Sequence, residues 1–511
     1  MKPSKLVRGR WVIPGAGADD AVFTDAAVLV IDGDVAALDD WDTLRALYPD
    51  AEVIGSRSMA VLPGLINAHH HSKGVSTIQH GIADMLLEPW ILAHRRARPG
   101  DARLETLLSA AEQLRSGVTA VVNVLNASGS AESFEKTVAD TLAAYDASGM
   151  RAATAAGVTT QSFIVSGAGE DARFFAALPE AVRPYARMML PDDTRISEDE
   201  YFQIMESLWR EYRDNPRIEL WFGPPGPQWV SDDFMVRIAQ YAESWDTGIQ
   251  THVDESIYEM IHGPRFYGKH TMLHLDALGV LSPRFSIAHG VWLTRDEIAV
   301  MARTGASVSH NPSSNLRLRA GIAPLNGLLD AGVNVALGMD GTTLDEDEDM
   351  FAEIRLAMRL HGTPVLGQPS PEPDDIFSMA TAGGAKLMRQ EGHLGRIAIG
   401  YAADLILVDV ERMTWPWIAP EADPKSVVLF RARAGDVDTV LVGGEVVLSG
   451  GLPTRFDVQE IGRELAEHLD AQPYPEMDAE MVAQLLPHLK SWYEQWPVPS
   501  LKPWIRYNSS E

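Results

Sequence analysis

The chain has 511 residues, 46% of them hydrophobic and 22% charged, which allows a sizeable buried core and more than one compact unit. Its formal charge of −28 opposes phosphate backbones and anionic lipid, so neither nucleic acid nor membrane is expected as a partner, and no apolar run is long enough to span a bilayer. With no cysteine there is no disulfide, thiolate zinc site or cysteine nucleophile, which leaves His, Asp, Glu or a modified Lys for any tightly held metal.

The start, MKPSKLVRGRWVIPGAG, carries basic residues without an apolar stretch, so no secretory signal is read and a cytoplasmic location is the default expectation. Residues 1–57 read as short strands over 6–13, 26–31 and, after the Gly33-Asp34 turn, 35–38. From 58 to 390 short apolar runs alternate with amphipathic stretches, the pattern of βα units around a parallel sheet. Strands are predicted over 60–68, 119–125, 151–158, 218–223, 248–253, 285–289, 306–309 and 333–338; eight of them predict an α/β fold with a (β/α)8 TIM-type barrel. Ser231 and the Thr294/Glu297 capping box mark helix starts, and Gly117, Gly248, Gly305 and Gly332 mark hand-overs from helix to strand. The stretch 159–196 is long for a βα loop and reads as a lid.

Residues 391–455 return to strand character over 405–409 and 437–447, with Gly443-Gly444 between apolar runs. A barrel inserted into a β unit brings the unit's halves together, so this segment and residues 1–57 are expected to build one small β-sandwich. Residues 456–511 form a C-terminal extension with one helix predicted over 458–469 and no chemistry assigned.

Residues two apart in a strand face the same way, so His69 and His71 aim two imidazoles at one point and leave His70 facing the packing. With 15 histidines in 511 positions such a pair arises by chance about as often as not. The stronger pattern is positional. His252 ends the fifth predicted strand, His289 ends the sixth, and Asp340 follows the eighth. Barrel active sites are built at these C-terminal strand ends, and four coincident ends mark a site where one histidine would mark only packing.

These residues stand in Pro63-Gly-Leu-Ile-Asn-Ala-His-His-His, Ser116-Gly-Val-Thr, His252-Val-Asp-Glu255, Ala288-His-Gly, His310-Asn-Pro-Ser-Ser-Asn315 and Gly338-Met-Asp-Gly. In this order and spacing, across residues from about 1 to 455, the sequence resembles the amidohydrolase superfamily, and within it the branch of cytosine and guanine deaminases and s-triazine (atrazine-type) hydrolases. Members with two metals bridge them through a carboxylated lysine or a glutamate at the end of the fourth strand. Here that strand holds no lysine, and Glu219 lies at its opposite end. The resemblance therefore implies one divalent ion, held by His69, His71, His252 and Asp340 with water completing the shell: zinc first, with iron, manganese or cobalt as alternatives.

The resemblance also assigns roles. Glu255 matches a proton-shuttling glutamate, Asp340 orients the water and accepts its second proton, and His289 matches a histidine that hydrogen-bonds the water or the reacting centre. Trp90 and Trp292, with Trp229, are candidates to stack on a flat ring, and Gln79, Gln228, Asn315 and Arg317 are candidates for polar substrate contacts. Asn123, where an aspartate is frequent, and residues 224–228 depart from the branch pattern. The implied reaction is hydrolysis of a C–N bond, by deamination or dealkylamination, at an sp2 carbon of a small N-heterocycle. Amide, urea or carbamate hydrolysis of a small xenobiotic or metabolite uses the same groups and stays open beside it, as does a metal-free binding barrel. A small-molecule substrate and a homo-oligomer complete what the resemblance implies.

Overall fold

A computed structural model describes residues 4–500 apart from 18, 19, 127, 128, 193, 342, 345, 364, 365 and 473–476; the end of the extension, 501–511, lies outside the described residues. Eight parallel strands pair in sequence order: Leu65–His70, Val118–Asn126, Arg151–Gly157, Ile218–Phe222, Ile249–Val253, Phe285–His289, Ser307–His310 and Val335–Leu337. Backbone from beyond the eighth strand returns to the first, where Asp340 N–H donates to His69 O at 2.9 Å and Met339 N–H to the Asn67 side-chain oxygen at 3.0 Å, so the sheet is a nearly closed barrel. Its strands are buried along most of their length because helices cover the outer face and side chains fill the inner one.

The strand expected over 60–68 divides at Gly64. Glu52–Pro63 belongs to a second sheet and Leu65–His70 to the barrel. Gly64 N–H donates to Asp404 O at 2.8 Å in the second sheet, while Leu65 N–H donates to Gly117 O at 3.0 Å beside the barrel. A Cβ on Gly64 would lie 2.1 Å from Thr119 Oγ1, so the crossover between sheets has room for no side chain. Periodicity missed the break because both segments are apolar and buried.

The second sheet draws on both ends of the chain. Ser4–Val12, Phe23–Ile31, Asp34–Asp40 and Glu52–Pro63 join Leu405–Asp409, Val437–Val442, Glu445–Ser449 and Leu452–Pro453 in one mixed sheet. Asp34 bridges Ala402, so the sheet curls back over a shared core that includes Val28, Val35, Val61, Leu405 and Leu441. The run expected over 437–447 turns at Gly443 and Gly444, both with positive φ, into two antiparallel strands.

The long segment after the third strand contains helices Glu170–Ala177 and Arg183–Arg187. The extension supplies Val458–Ala471 and a helix the sequence reading did not anticipate, Ala479–Tyr493, which contains Pro487. An interior proline normally argues against a helix, but packing here outweighs its cost. Leu485, Leu489 and Trp496 share a buried cluster with Ile164, Phe174 and Ala186 of the 159–196 segment. Tyr493 Oη accepts from Ser166 N–H at 3.0 Å, so the extension is fastened to that segment. Among the described residues no helix is long and apolar enough to cross a membrane.

One buried ion pair joins the two sheets. Arg151, from the third barrel strand, meets the Asp404 carboxylate through two nitrogens at 2.9 and 3.2 Å, and Asp404 also accepts from Gly443 N–H at 2.7 Å. The side chains are 11% and 4% exposed. Asp404→Ala leaves the guanidinium buried without its carboxylate and is expected to lower stability by about 3–5 kcal/mol, read from urea unfolding midpoints.

Candidate metal centre

Each imidazole at the barrel mouth is fixed through its Nδ1. His71 Nδ1 is 2.8 Å from Val124 O and His252 Nδ1 is 2.7 Å from Pro225 O; a carbonyl only accepts, so both Nδ1 atoms carry the hydrogen. His69 Nδ1 is 2.9 Å from Gln250 Oε1, and Gln250 Nε2 donates to Ala68 O at 2.9 Å, which fixes the amide orientation and makes His69 Nδ1 a donor too. Burial lowers the pKa of His69, and burial with the neighbouring His69 and His71 lowers that of His252, so these rings are neutral. Their Nε2 lone pairs then all face one point.

The approach distances there are short. His71 and His252 bring their Nε2 atoms to 3.4 Å, and Asp340 Oδ1 lies 3.1 Å from His69 Nε2 and 3.0 Å from His71 Nε2. Two nitrogens bound tetrahedrally to zinc at 2.0–2.1 Å stand about 3.3 Å apart, close to the His71–His252 separation. The Nε2 atoms of His69 and His289 are buried without a hydrogen-bond partner. Imidazole nitrogens and a carboxylate converge on one point, and as a donor set they fit a divalent metal that takes nitrogen and oxygen ligands. His69, His252, His289 and Asp340 each offer an atom within 4.8 Å of all the others, and His71 adjoins them through His252 and Asp340.

His289 and Asp340 adopt left-handed backbone, φ +73° and +58°, each followed by a glycine that does the same. Such conformations cost about 1–3 kcal/mol and persist where the surroundings hold them. The 310–315 motif supplies that hold: Ser314 Oγ donates to Asp340 Oδ2, and Asn315 Oδ1 accepts from His289 Nδ1 at 2.9 Å. Asn315 is thus placed behind His289 and does not line the cavity.

Glu255 lies 3.6 Å from His289 Nε2 and is 3% exposed. Burial first, then the charges of Glu259, Asp340 and Glu88, raise its pKa well above the usual carboxylate range. The cluster opens into a cavity of ≈ 300 Å³ walled by Trp90, Ile91, Trp229 and Leu318. Its lining also includes Lys73, His80, Arg98 and Glu105, which the sequence reading missed. Lys73 alone had a signal, its place two residues beyond His71 on the strand-end alternation.

Other sequence candidates fall elsewhere. Gln79 is exposed, accepts from Ser76 N–H at 2.9 Å and faces a neighbouring groove. Gln228 is buried and donates to Glu259 Oε1 at 2.8 Å, while Trp292 Nε1 donates to Ala320 O at 2.8 Å; neither lines the cavity. Arg317 pairs with Asp84. His70 turns away from the centre, as expected, toward Glu348 at 3.2 Å. Asn123 is buried with neither amide atom bonded.

The model of the amidohydrolase family matches residues 60–447. The chain belongs to that family. It is 31% identical over 464 residues to a 5'-deoxyadenosine deaminase of Methanopyrus kandleri, covering 88% of this chain and 96% of that one. The crystal structure of an adenosine deaminase from Xanthomonas campestris with bound zinc superposes with a TM-score of 0.77 at 26% identity, covering 92% of this chain and 99% of that one. A zinc complex of atrazine chlorohydrolase from Arthrobacter aurescens has a TM-score of 0.73 at 22% identity, covering 91% and 100%; that likeness shows a shared fold.

A further buried acid, Glu88, sits on helix Leu87–His94 beside Trp90 and accepts from Ser256 Oγ next to Glu255. Burial raises its pKa to about 7. The folded carboxyl binds its proton more tightly than the unfolded one, so the wild type loses stability as pH rises from about 4.5 to about 7. Glu88→Gln does not titrate, and its stability relative to wild type should rise by about 3 kcal/mol across that interval and stay level above it, as measured by urea unfolding at a series of pH values.

Proposed function

We propose that this amidohydrolase-family enzyme removes an amino group, as ammonia, from an sp2 carbon of a small N-heterocycle. Zinc is the proposed ion, held by His69, His71, His252 and Asp340 within a catalytic unit of residues 58–390. The observation that carries this reading is the placement of protonatable Glu255 beside converging imidazole lone pairs at the floor of an aromatic-walled cavity. The names of the relatives favour an aminopurine nucleoside among the possible rings.

A divalent cation in this setting lowers the pKa of water toward neutrality and so supplies a nucleophile. The remaining work falls to the chain's own residues. Glu255, with its raised pKa, takes a proton from the attacking water and passes it to the ring nitrogen or the departing amine. His289 is neutral, its pKa lowered to about 4 by burial, and its Nδ1 is anchored by Asn315, so its free Nε2 is set toward the reacting centre. Asp340, steadied by Ser314, accepts the second proton of the water and returns it to the substrate, so that the ring nitrogen and the departing amine receive one proton each. Trp90 and Trp229 stand where a flat ring enters and leave little space for bulk water. Water and a ring C–NH2 thus yield a ring carbonyl and ammonia.

Ammonia release by the zinc-loaded enzyme should be detected with at least one member of a panel of adenosine, 5'-deoxyadenosine, guanine, cytosine and amino-triazines; silence on every ring amine, with amine release from anilides or ureas, would overturn the reading. Glu255→Gln should lower kcat by about 10²–10⁴-fold with the metal content of the protein retained, measured by steady-state kinetics beside elemental analysis.

A further inference from the structure

Outside the metal centre, between a barrel helix and the 410–436 insertion of the second sheet, lies a groove of ≈ 510 Å³. That volume is in the range of small-molecule sites. Arg355 and Arg359 enter it from successive turns of helix Met350–Leu360, Arg412 from helix Val410–Thr414, and Arg431 and Arg433 from the end of helix Pro424–Arg431 and just beyond. Phe430 and one acid, Asp436, complete the lining. A chain with 43 basic and 71 acidic residues has gathered five guanidinium groups around a single carboxylate.

Two of the five are engaged by the protein. Arg412 pairs with Asp436 at 2.9 Å and donates to Gly435 O at 3.0 Å, and Arg355 donates to Ala432 O with Asp349 at 3.8 Å. Among the described residues, the guanidinium groups of Arg359, Arg431 and Arg433 have no ion-pair partner, although the Arg433 backbone N–H donates to Asp436 Oδ2 at 3.1 Å. Burial, and then the like charges of Arg359 and Arg433, lower the Arg355 pKa against the pull of Asp349, which places these cations close enough to repel one another. Repulsion left standing in an otherwise acidic protein is relieved by an anion.

We propose that this groove binds a phosphoryl-bearing anion, with the guanidinium forks of Arg359, Arg431 and Arg433 on its oxygens and the Phe430 ring alongside. The planar fork matches two phosphate oxygens at once, and three forks on different elements suit a group with several charged oxygens better than a single carboxylate. The site is separate from the catalytic cavity and stands whether or not the reaction proposed above is right.

Isothermal titration of the full-length, zinc-loaded protein with inorganic pyrophosphate and with ADP, at low ionic strength, tests the assignment. One site per chain is expected, with affinity at least tenfold weaker in the Arg359→Ala/Arg431→Ala double variant, whose melting temperature should match wild type because both side chains are exposed. Tighter binding of ADP would identify nucleotides as the source of the phosphoryl group, and equal binding would identify free phosphates. Absence of binding by both probes overturns the proposal. So does binding that survives unchanged in the variant, since it would then belong to the metal centre. Loss of self-association in the variant, with no anion bound by wild type, overturns it in favour of an interface between two copies of the chain.

Discussion

Three imidazoles whose Nδ1 hydrogens are committed elsewhere, two of them buried and His71 half-buried, form the constraint on which the site depends. Val124 O, Pro225 O and the Gln250 amide each take an Nδ1–H, leaving every Nε2 as a bare lone pair turned inward. Those acceptors come from three different parts of the barrel: the second strand, the loop after the fourth, and the fifth strand. The geometry is therefore a property of the closed sheet, since a small rotation of one strand would point a lone pair away from the others. An electron-rich centre assembled this way is costly without a cation, and its cost is the reason to read it as a metal site.

Around that centre the protein controls protons by burial. Glu255, Glu88 and Glu259 are all buried and within electrostatic reach of one another, and each has its pKa raised, to about 7 for the latter two. A raised pKa makes the ionised carboxylate a stronger base, and once protonated it is an acid, the two roles that hydrolysis at a ring carbon demands of a single group. The 159–196 segment and the C-terminal helix pack against each other and against the helix that carries Glu88.

The strand-end residues were legible because two simple rules coincide: side chains alternate along a strand, and barrel sites form where strands end. His69 and His71 follow the first rule, His252, His289 and Asp340 the second, and the structure brings them together. Gln79, Gln228 and Trp292 were not legible in the same way because they lie beyond the strands, where direction depends on loop conformation rather than on a period. Asn315 was visible as a polar residue near the site, but its partner, His289, depended on the path of the motif after the seventh strand. Gly64 and Pro487 mark where local pattern gave way to tertiary packing: one hides a change of sheet within an apolar run, and the other sits inside a helix packed on the 159–196 segment. The cluster of arginines between the barrel and the second sheet had no sequence pattern at all, since its members come from separate helices.

The central claim is that these lone pairs hold one cation, and anomalous diffraction from crystals of the purified, zinc-loaded protein tests it most directly. The account predicts a single strong peak per chain at the barrel mouth, about 2.0–2.2 Å from Nε2 of His69, His71 and His252 and from a carboxylate oxygen of Asp340. An empty centre under those conditions, or a peak held by other residues, would contradict it.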